Sequence, residues 1–360
     1  MMDFPEDLIP VILESNHHWW ERDLTRLALV SPAWLYHVRR RLYAAPSLYS
    51  FAACSLLVRT LQSNPCLACL VHELVLQLTC TGSSHGSPQD RLAVRVLLGL
   101  RGLRSLVLGG ELAVRSERFL GFVIAVDTLE RLHIDGRLLK TSLASRASIE
   151  WSEDLAFRLP NLKSLRLTEL DIDINPISSP VSLHWDELIL DDASIVNGFL
   201  SHLVPEGSTV KSLCVRATNV SEYDEHIRMV LGSSNVHSFK YKVRKANPSD
   251  SSFLEPRELQ SPHALRLCHL ELHGLHVDHG ILSTMRQRFH EIEELVVCSR
   301  SIRVSPEDWG AYFTSGALPS LRILRLTRGT NQPPYQPWSA NEVRVLDEIV
   351  SLRRIDFLPL

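Results

Sequence analysis

The stretch LKSLRL, residues 162–167, decides the fold because apolar and polar side chains alternate along it. Leu165 and Leu167 alternate with Ser164 and Arg166, and successive side chains of a β-strand point to opposite faces of the sheet. We therefore predict a strand whose leucines enter the core, while Ser164 and Arg166 line an open face.

This LxxLxL pattern recurs from about residue 70 to the end of the chain. The copies lie about 28 residues apart on average, a period typical of leucine-rich repeats. Eleven copies are present: VHELVL (71–76), LRSLVL (103–108), LERLHI (129–134), LKSLRL (162–167), WDELIL (185–190), VKSLCV (210–215), VHSFKY (236–241), LCHLEL (267–272), IEELVV (292–297), LRILRL (321–326) and LRRIDF (352–357).

The segments between the copies mostly show the apolar spacing of amphipathic helices. Strand and helix therefore alternate, which predicts an α/β fold: an irregular βα solenoid with a parallel sheet on its concave face. Residues 171–183 and 243–263 are rich in Pro, Ser or Asp and are predicted to be loops. The predicted helices cover residues 88–100, 116–126, 194–204, 222–232, 278–291, 305–316 and 341–352.

Residues 1–50 have a different pattern, which predicts three short helices. The first covers about residues 6–15, with Pro10 in its first turn, where a proline costs little hydrogen bonding. The second covers about residues 21–30. Ser31 followed by a proline is the signature of a helix N-cap, so the third helix is predicted to start there.

The overall composition limits the classes of function that the chain can have. A formal net charge of −3 over 360 residues does not indicate a nucleic-acid or anionic-membrane partner, and no apolar run approaches the roughly 20 residues of a membrane helix. Seven cysteines at irregular spacing do not resemble a disulfide framework. Together with an acidic rather than basic start, this predicts an intracellular protein of the cytoplasm, the nucleus or both.

One motif favours an enzyme. GSSHG, residues 82–86, matches the G-x-S-x-G nucleophile elbow, with Ser84 as the nucleophile of a serine hydrolase. The surrounding segment is long, polar and rich in Ser and Gly, whereas an elbow is a tight turn. A flexible loop is therefore the favoured interpretation, and we predict neither a catalytic residue nor a cofactor.

Three further features are weak signals for metal binding or recognition. Cys66 and Cys69 form a single CxxC without a second ligand pair, and the adjacent His17 and His18 point in different directions on a helix end. Neither pair predicts a metal site, and the two cysteines are expected to be buried structural residues. The aromatic pair at residues 19–20 is expected to pack between the first two helices, with an exposed recognition patch as the alternative.

The N-terminal segment resembles an F-box, of the divergent fungal type. The family pattern begins with Leu-Pro and an acidic residue, continues with paired aliphatic residues and Asp-Leu, and ends with Val-(Cys/Ser)-x-x-Trp. The corresponding positions are Phe4-Pro5, Glu6, Leu8-Ile9, Ile12-Leu13, Asp23-Leu24, Val30-Ser31 and Trp34. Phe4 and the internal Pro10 depart from that pattern.

The resemblance implies the substrate-recognition subunit of an SCF-type cullin-RING ubiquitin ligase, which is not itself an enzyme. The F-box would bind a Skp-family adaptor and, through it, the ligase, while the repeats bind an unknown protein substrate. The implied domains are residues 1–50 (F-box-like), 51–69 (a linker or first cap helix) and 70–360 (the solenoid). The alternative is a leucine-rich-repeat scaffold without a ubiquitin role. Candidate adaptor-binding residues are Pro5, Leu8, Ile9, Ile12, Leu13, Leu24, Val30 and Trp34.

Substrate binding is expected on the open strand positions. These positions carry both signs of charge, with Asp135, Asp191 and Asp356 among the acidic ones. A charged face suits recognition of a protein better than a small-molecule pocket, which is usually apolar. The candidate substrate-binding residues are Arg166, Arg216, Lys240, Lys242, Glu271 and Arg325.

Overall fold

The computed structural model describes residues 5–15, 19–79, 88–139, 146–177, 184–204, 206–245, 266–298, 301–302, 304–330 and 336–360. It is a mixed α/β structure with a parallel sheet of twelve strands that is not closed. Two compact units are present. The first comprises Met1–Ile149 with Arg158–Asn161, and the second comprises Glu150–Phe157 with Leu162–Leu360.

The first unit is helical at its start and then alternates strands with helices. Its helices are α1 (Leu8–Ser15), α2 (Glu21–Leu27), α3 (Pro32–Ala44), α4 (Phe51–Ser63), α5 (Pro65–Ala68), α6 (Pro88–Leu98) and α7 (Glu117–Leu120). Its sheet strands are β1 (Ser47–Leu48), β2 (Glu73–Leu78), β3 (Ser105–Gly110) and β4 (Arg131–Asp135), in that order across the sheet. Single 3₁₀ turns cover Glu111–Ala113 and Arg137–Leu139.

Two elements, β5 (Ser148–Trp151) and α8 (Glu153–Arg158), lie where the division between the units falls. The second unit then contributes eight strands to the large sheet, in the order β6, β8, β10, β11, β12, β14, β16, β19. These are β6 (Ser164–Thr168), β8 (Trp185–Asp191), β10 (Thr209–Asn219), β11 (Asn235–Lys245), β12 (His269–His273), β14 (Glu294–Cys298), β16 (Ile323–Leu326) and β19 (Asp356–Phe357).

Helices and minor strands complete the second unit. The helices are α9 (Leu200–Leu203), α10 (Asp224–Ser233), α11 (His279–Arg288), α12 (Pro306–Thr314) and α13 (Ala340–Leu352), with a 3₁₀ turn at Val220–Glu222. The minor strands are β7 (Asp171–Ile174), β9 (Ser194–Asn197), β13 (His276–Val277), β15 (Ser301–Ile302), β17 (Gly329–Thr330) and β18 (Gln336–Pro337). Within the described part of the chain, every helix is too short or too polar to cross a lipid bilayer.

The predicted repeat pattern marks the large sheet. Each of the eleven LxxLxL copies contains a strand of that sheet, and the twelfth strand is β1. Leu165 and Leu167 of β6 are buried, whereas Ser164 and Arg166, which alternate with them, are partly exposed, as the two-residue period predicts. Parallel strands with one buried face need a cover of helices, and α10, α11, α12 and α13 contribute buried apolar residues of their own.

Several predicted boundaries were wrong. The second helix ends at Leu27, and the predicted helix over residues 116–126 is only one turn long, Glu117–Leu120. The expected helix over 194–204 begins instead as β9, which pairs in parallel with β7 in a small sheet of order β5-β7-β9. Residues 171–174 are therefore a strand rather than a loop. Their alternation of Asp with Ile buries the isoleucines and leaves the acids partly buried, which is a strand pattern.

Gly274, directly after β12, occupies a position that a larger residue cannot take. Its φ is +76°, and a Cβ built on it would lie 2.1 Å from the carbonyl oxygen of Val243 in β11. Neighbouring strand ends therefore approach each other more closely than any side chain permits. Gly110, at the end of β3, shows the same contact with Leu78 of β2, where the distance would be 1.9 Å.

Candidate functional site

The three N-terminal helices form a small core of their own. Ile9 and Leu13 of α1, Leu24 of α2 and Val38 of α3 are buried against one another. Residues packed around this cluster are Trp19, Leu27, Ala28, Ala33, Trp34 and Leu42. A core of four buried side chains is small for an independent domain, so the segment gains stability from whatever else it contacts.

These helices also expose large apolar side chains. We call the set Leu8, Val11, Trp20, Leu29, Val30 and Tyr36 the exposed N-terminal residues. Among the described residues, six of the twenty-one exposed large apolar side chains thus fall in the first 36 positions. Single exposed apolar residues are ordinary on a protein surface, but such a concentration marks a candidate interaction surface.

The structure divides the eight predicted adaptor-binding residues into two groups. Ile9, Leu13 and Leu24 are buried in the helical core, which corrects their assignment as contact residues because their side chains pack against one another. Ile12 and Trp34 are partly buried. The exposed ones are Pro5, Leu8 and Val30. The sequence did not indicate Val11, Leu29 or Tyr36, and of the aromatic pair only Trp19 packs into the core, while Trp20 is exposed.

The third helix is capped as predicted, which holds this small segment in shape. The Ser31 hydroxyl accepts a hydrogen bond of 3.3 Å from the Trp34 backbone N–H.

We expect Ser31→Ala to lower the free energy of unfolding by about 1 kcal/mol, because the first-turn N–H loses its acceptor. Urea unfolding measures it. Ser63→Ala, at the exposed end of α4, is the control and should change stability by less than about 0.5 kcal/mol; equal effects would contradict the cap's role.

A cleft of about 850 Å³ lies beside this segment, within the first unit. Its lining mixes apolar side chains such as Leu13 and Leu42 with charged ones such as Arg40, Arg41 and Glu73, so it carries both signs of charge. Ligand pockets are usually apolar with a few polar groups, and this lining does not indicate a particular ligand.

The second candidate surface is the open face of the second unit, meaning the side chains of its sheet strands that alternate with the buried ones. All six predicted substrate-binding residues lie on it. They are partly buried, and strand pairing places them in two rows. Arg166, Lys240, Glu271 and Arg325 belong to a middle row, and Arg216 and Lys242 belong to the next row toward the carboxyl ends of the strands.

Charges on this face are paired across neighbouring strands. Asp191 of β8 lies 3.0 Å from the guanidinium of Arg216 on β10 and 3.6 Å from that of Arg166 on β6. Farther along the face, Arg325 lies 3.4 Å from Glu294. One carboxylate therefore serves two arginines at the first site, and the positive charge there is only partly neutralised.

Glu271 is the centre of a second cluster. Its carboxylate lies 2.6 Å from the Lys240 ammonium and 3.9 Å from that of Lys242, and it contacts His273 directly. Burial raises the pKa of Glu271, but hydrogen bonds from Lys240 and His273 outweigh it and hold that pKa below its usual range. Burial also lowers the pKa of His273, which favours its neutral ring. The cluster therefore carries two lysine charges against one carboxylate.

The open positions of the first unit hold a different arrangement. Asp135 of β4 is buried and receives two side-chain hydrogen bonds from Arg137, at 2.9 and 2.7 Å, and one of 3.3 Å from Gln77 on β2. Gly109 lies between them in register and has no side chain, so Gln77 can reach across β3. Burial raises the pKa of Asp135, but Arg137 outweighs it and the pKa is lowered.

The Asp135–Arg137 pair gives a pH-dependent prediction. A carboxyl whose folded pKa is depressed adds stability above its unfolded pKa of about 3.9, and that stability is lost as the pH falls through the folded value. In Arg137→Gln the side-chain hydrogen bonds and the positive charge of Arg137 are lost, so the burial of Asp135 is less compensated and its pKa rises. We expect a loss of about 1–2 kcal/mol at pH 7 that shrinks as the pH falls toward about 3.

Urea unfolding across that pH range measures the effect. Arg131→Gln is the matched control, since Arg131 forms a 2.5 Å ion pair with Glu73 in which both side chains are about half exposed. Its effect should be below about 1 kcal/mol. A loss in Arg137→Gln that is independent of pH would contradict the role of the pair.

Of the remaining candidate sites, two lie outside the described residues: the GSSHG motif with Ser84, and His17 with His18. Cys66 and Cys69 are both exposed at α5, so the expectation that they are buried was wrong. In the part of the chain that the structure describes, no three His, Cys, Asp or Glu side chains come together in a way that could hold a metal ion.

No protein-family model matches this sequence, and no curated protein matches it. The F-box and leucine-rich-repeat assignments therefore stay predictions from the residues, and any functional conclusion depends on the two surfaces described above.

Proposed function

We propose that this chain is a substrate receptor of an SCF-type cullin-RING ubiquitin ligase. In this proposal, residues 1–50 are an F-box-like three-helix segment that binds a Skp-family adaptor, and residues 51–69 join it to the repeats. Residues 70–360 form an irregular leucine-rich-repeat solenoid that binds a protein substrate on its open face. The protein acts inside the cell and needs no cofactor.

One observation carries the proposal. Leu8 and Val30 occupy positions that the F-box resemblance assigns to the adaptor, and both are exposed although they are apolar. Ile9, next to Leu8, is fully buried. Helix α1 thus has one face in the helical core and an apolar face open to solvent, an arrangement that suits a helix docked on a partner.

The mechanism that follows is one of proximity. A receptor that binds the ligase at one surface and the substrate at another raises the local concentration of substrate near the charged ubiquitin carrier. The chain itself supplies no reacting group. The charged open face suits this role, since it can recognise a protein segment without enclosing it.

An order-of-addition pull-down tests the proposal. The intact chain, immobilised, should retain a purified cullin only when a Skp-family adaptor is also present. Retention of neither protein would support the alternative, a repeat scaffold without a ubiquitin role. A cullin retained equally well without the adaptor would contradict the proposed docking route.

A further inference from the structure

We infer that the open face of the second unit binds an extended, carboxylate-rich segment of a partner protein, laid across the strands from β6 to β16. This inference adds the chemical class of the substrate to the proposed function. Only the identification of the bound segment as a ligase substrate rests on that proposal. The binding surface is inferred from the charges described below.

Charge on this face is polarised. The middle row and the row beyond it carry the five cations Arg166, Arg216, Lys240, Lys242 and Arg325, against the two carboxylates Asp191 and Glu271. The excess there is three positive charges. The row toward the amino ends of the strands carries only carboxylates among its formally charged residues: Glu187, Glu294 and Asp356.

Three arginines of this face each have a side-chain hydrogen-bond donor that no described residue accepts. The Nε atoms of Arg166, Arg216 and Arg325 are buried, and each lacks a hydrogen-bond partner among the described residues. A buried donor without an acceptor is costly, and a carboxylate forms two parallel hydrogen bonds with a guanidinium. The side chains of Arg166, Arg216 and Arg325 are 38%, 42% and 42% exposed, so carboxylates from outside the chain can reach their guanidinium groups.

The like charges also disturb one another. Burial lowers the pKa of Lys242, and the neighbouring charges of Lys240 and Arg216 lower it further, although Glu271 acts in the opposite direction. An added negative group at this point would relieve that repulsion. The pKa shift thus agrees with the excess of positive charge counted from the strand positions.

Geometry sets the length of the bound segment. Six strand intervals separate β6 from β16, which corresponds to about 29 Å at about 4.8 Å per interval. An extended peptide advances about 3.3 Å per residue, so about nine residues cover the distance. Because Asp191 and Glu271 already neutralise part of the charge, single carboxylates spread along the peptide match the face better than clustered phosphates.

Peptide selection tests this inference. A displayed library of random twelve-residue peptides is selected for binding to the intact chain in the absence of adaptor. We expect the selected peptides to be enriched in Asp and Glu. Their affinity should fall at least tenfold in the variant Arg216→Gln, Lys242→Gln, Arg325→Gln. In that variant Asp191 keeps Arg166, Glu271 keeps Lys240 and Glu294 keeps His269 as a partner, so the fold is expected to persist.

The control variant Lys211→Gln, Arg322→Gln, Arg328→Gln removes the same charge from exposed positions of the same unit and should bind within about twofold of the wild type. A second readout uses the wild type alone: affinity should fall steeply as salt rises. Selection of neutral or basic peptides, of no peptide, or an equal loss in both variants would overturn the inference. So would a tenfold preference for phosphoserine in place of glutamate. Because no adaptor is present, failure here is distinct from failure of the proposed ligase role.

Discussion

Gly274→Ala is expected to destabilise the protein by at least about 3 kcal/mol, whereas Gly207→Ala should cost only about 1–2 kcal/mol. Both glycines have a φ of +76°, so both variants pay for placing an L side chain in the left-handed region. Only Gly274 also has a backbone oxygen, that of Val243, at 2.1 Å from the new Cβ. Around Gly207 nothing lies within 4 Å.

The comparison separates backbone strain from close packing of neighbouring strands. Urea unfolding of the two variants and the wild type gives the free energies directly. Equal losses would mean that the strand ends separate at little cost, and the close approach of β12 to β11 would then not be a requirement of the fold.

The second large effect concerns the exposed N-terminal residues. Leu8→Glu combined with Val30→Glu should weaken binding to a Skp-family adaptor by about 30-fold or more, which corresponds to about 2 kcal/mol, typical of a central interface residue. Leu8 and Val30 are 46% and 64% accessible, and the glutamates that replace them would bring charge into an interface from which water is excluded. Folding stability should change little, since neither residue is in the core.

A matched control pair is available at the other end of the chain. Leu352 and Leu358 are also exposed apolar residues, 87% and 46% accessible, and lie outside the N-terminal helices. Leu352→Glu with Leu358→Glu should leave adaptor affinity within about twofold of the wild type. Equal losses in the two double variants, measured by calorimetric titration, would show that general hydrophobicity and not the F-box-like segment determines binding.

The large sheet could be predicted from the sequence because its signal is strictly local. Alternation such as Leu165–Arg166–Leu167 fixes which side chain enters the core, and eleven repetitions leave little ambiguity. Strand β9 of the small sheet was missed for the opposite reason, whereas the alternation in β7 was overlooked. Strand β9 buries almost none of its side chains, and it exists through backbone hydrogen bonds to β7, which no side-chain pattern reports.

The same distinction applies to the two candidate surfaces. The period of two placed Arg166, Lys240 and Glu271 on one face, but which of them pair depends on the register between strands joined by loops of unequal length. In α1 both faces are apolar, so the sequence could not decide that Ile9 is buried and Leu8 exposed. That choice depends on where α2 and α3 pack, which is a tertiary property.

The most direct measurement is a titration of the intact, folded chain with a purified Skp-family adaptor. We expect saturable one-to-one binding, accompanied by protection of the amides of α1 and α2 from hydrogen exchange. A folded chain that shows no binding at any accessible adaptor concentration would contradict the proposed docking of the N-terminal helices.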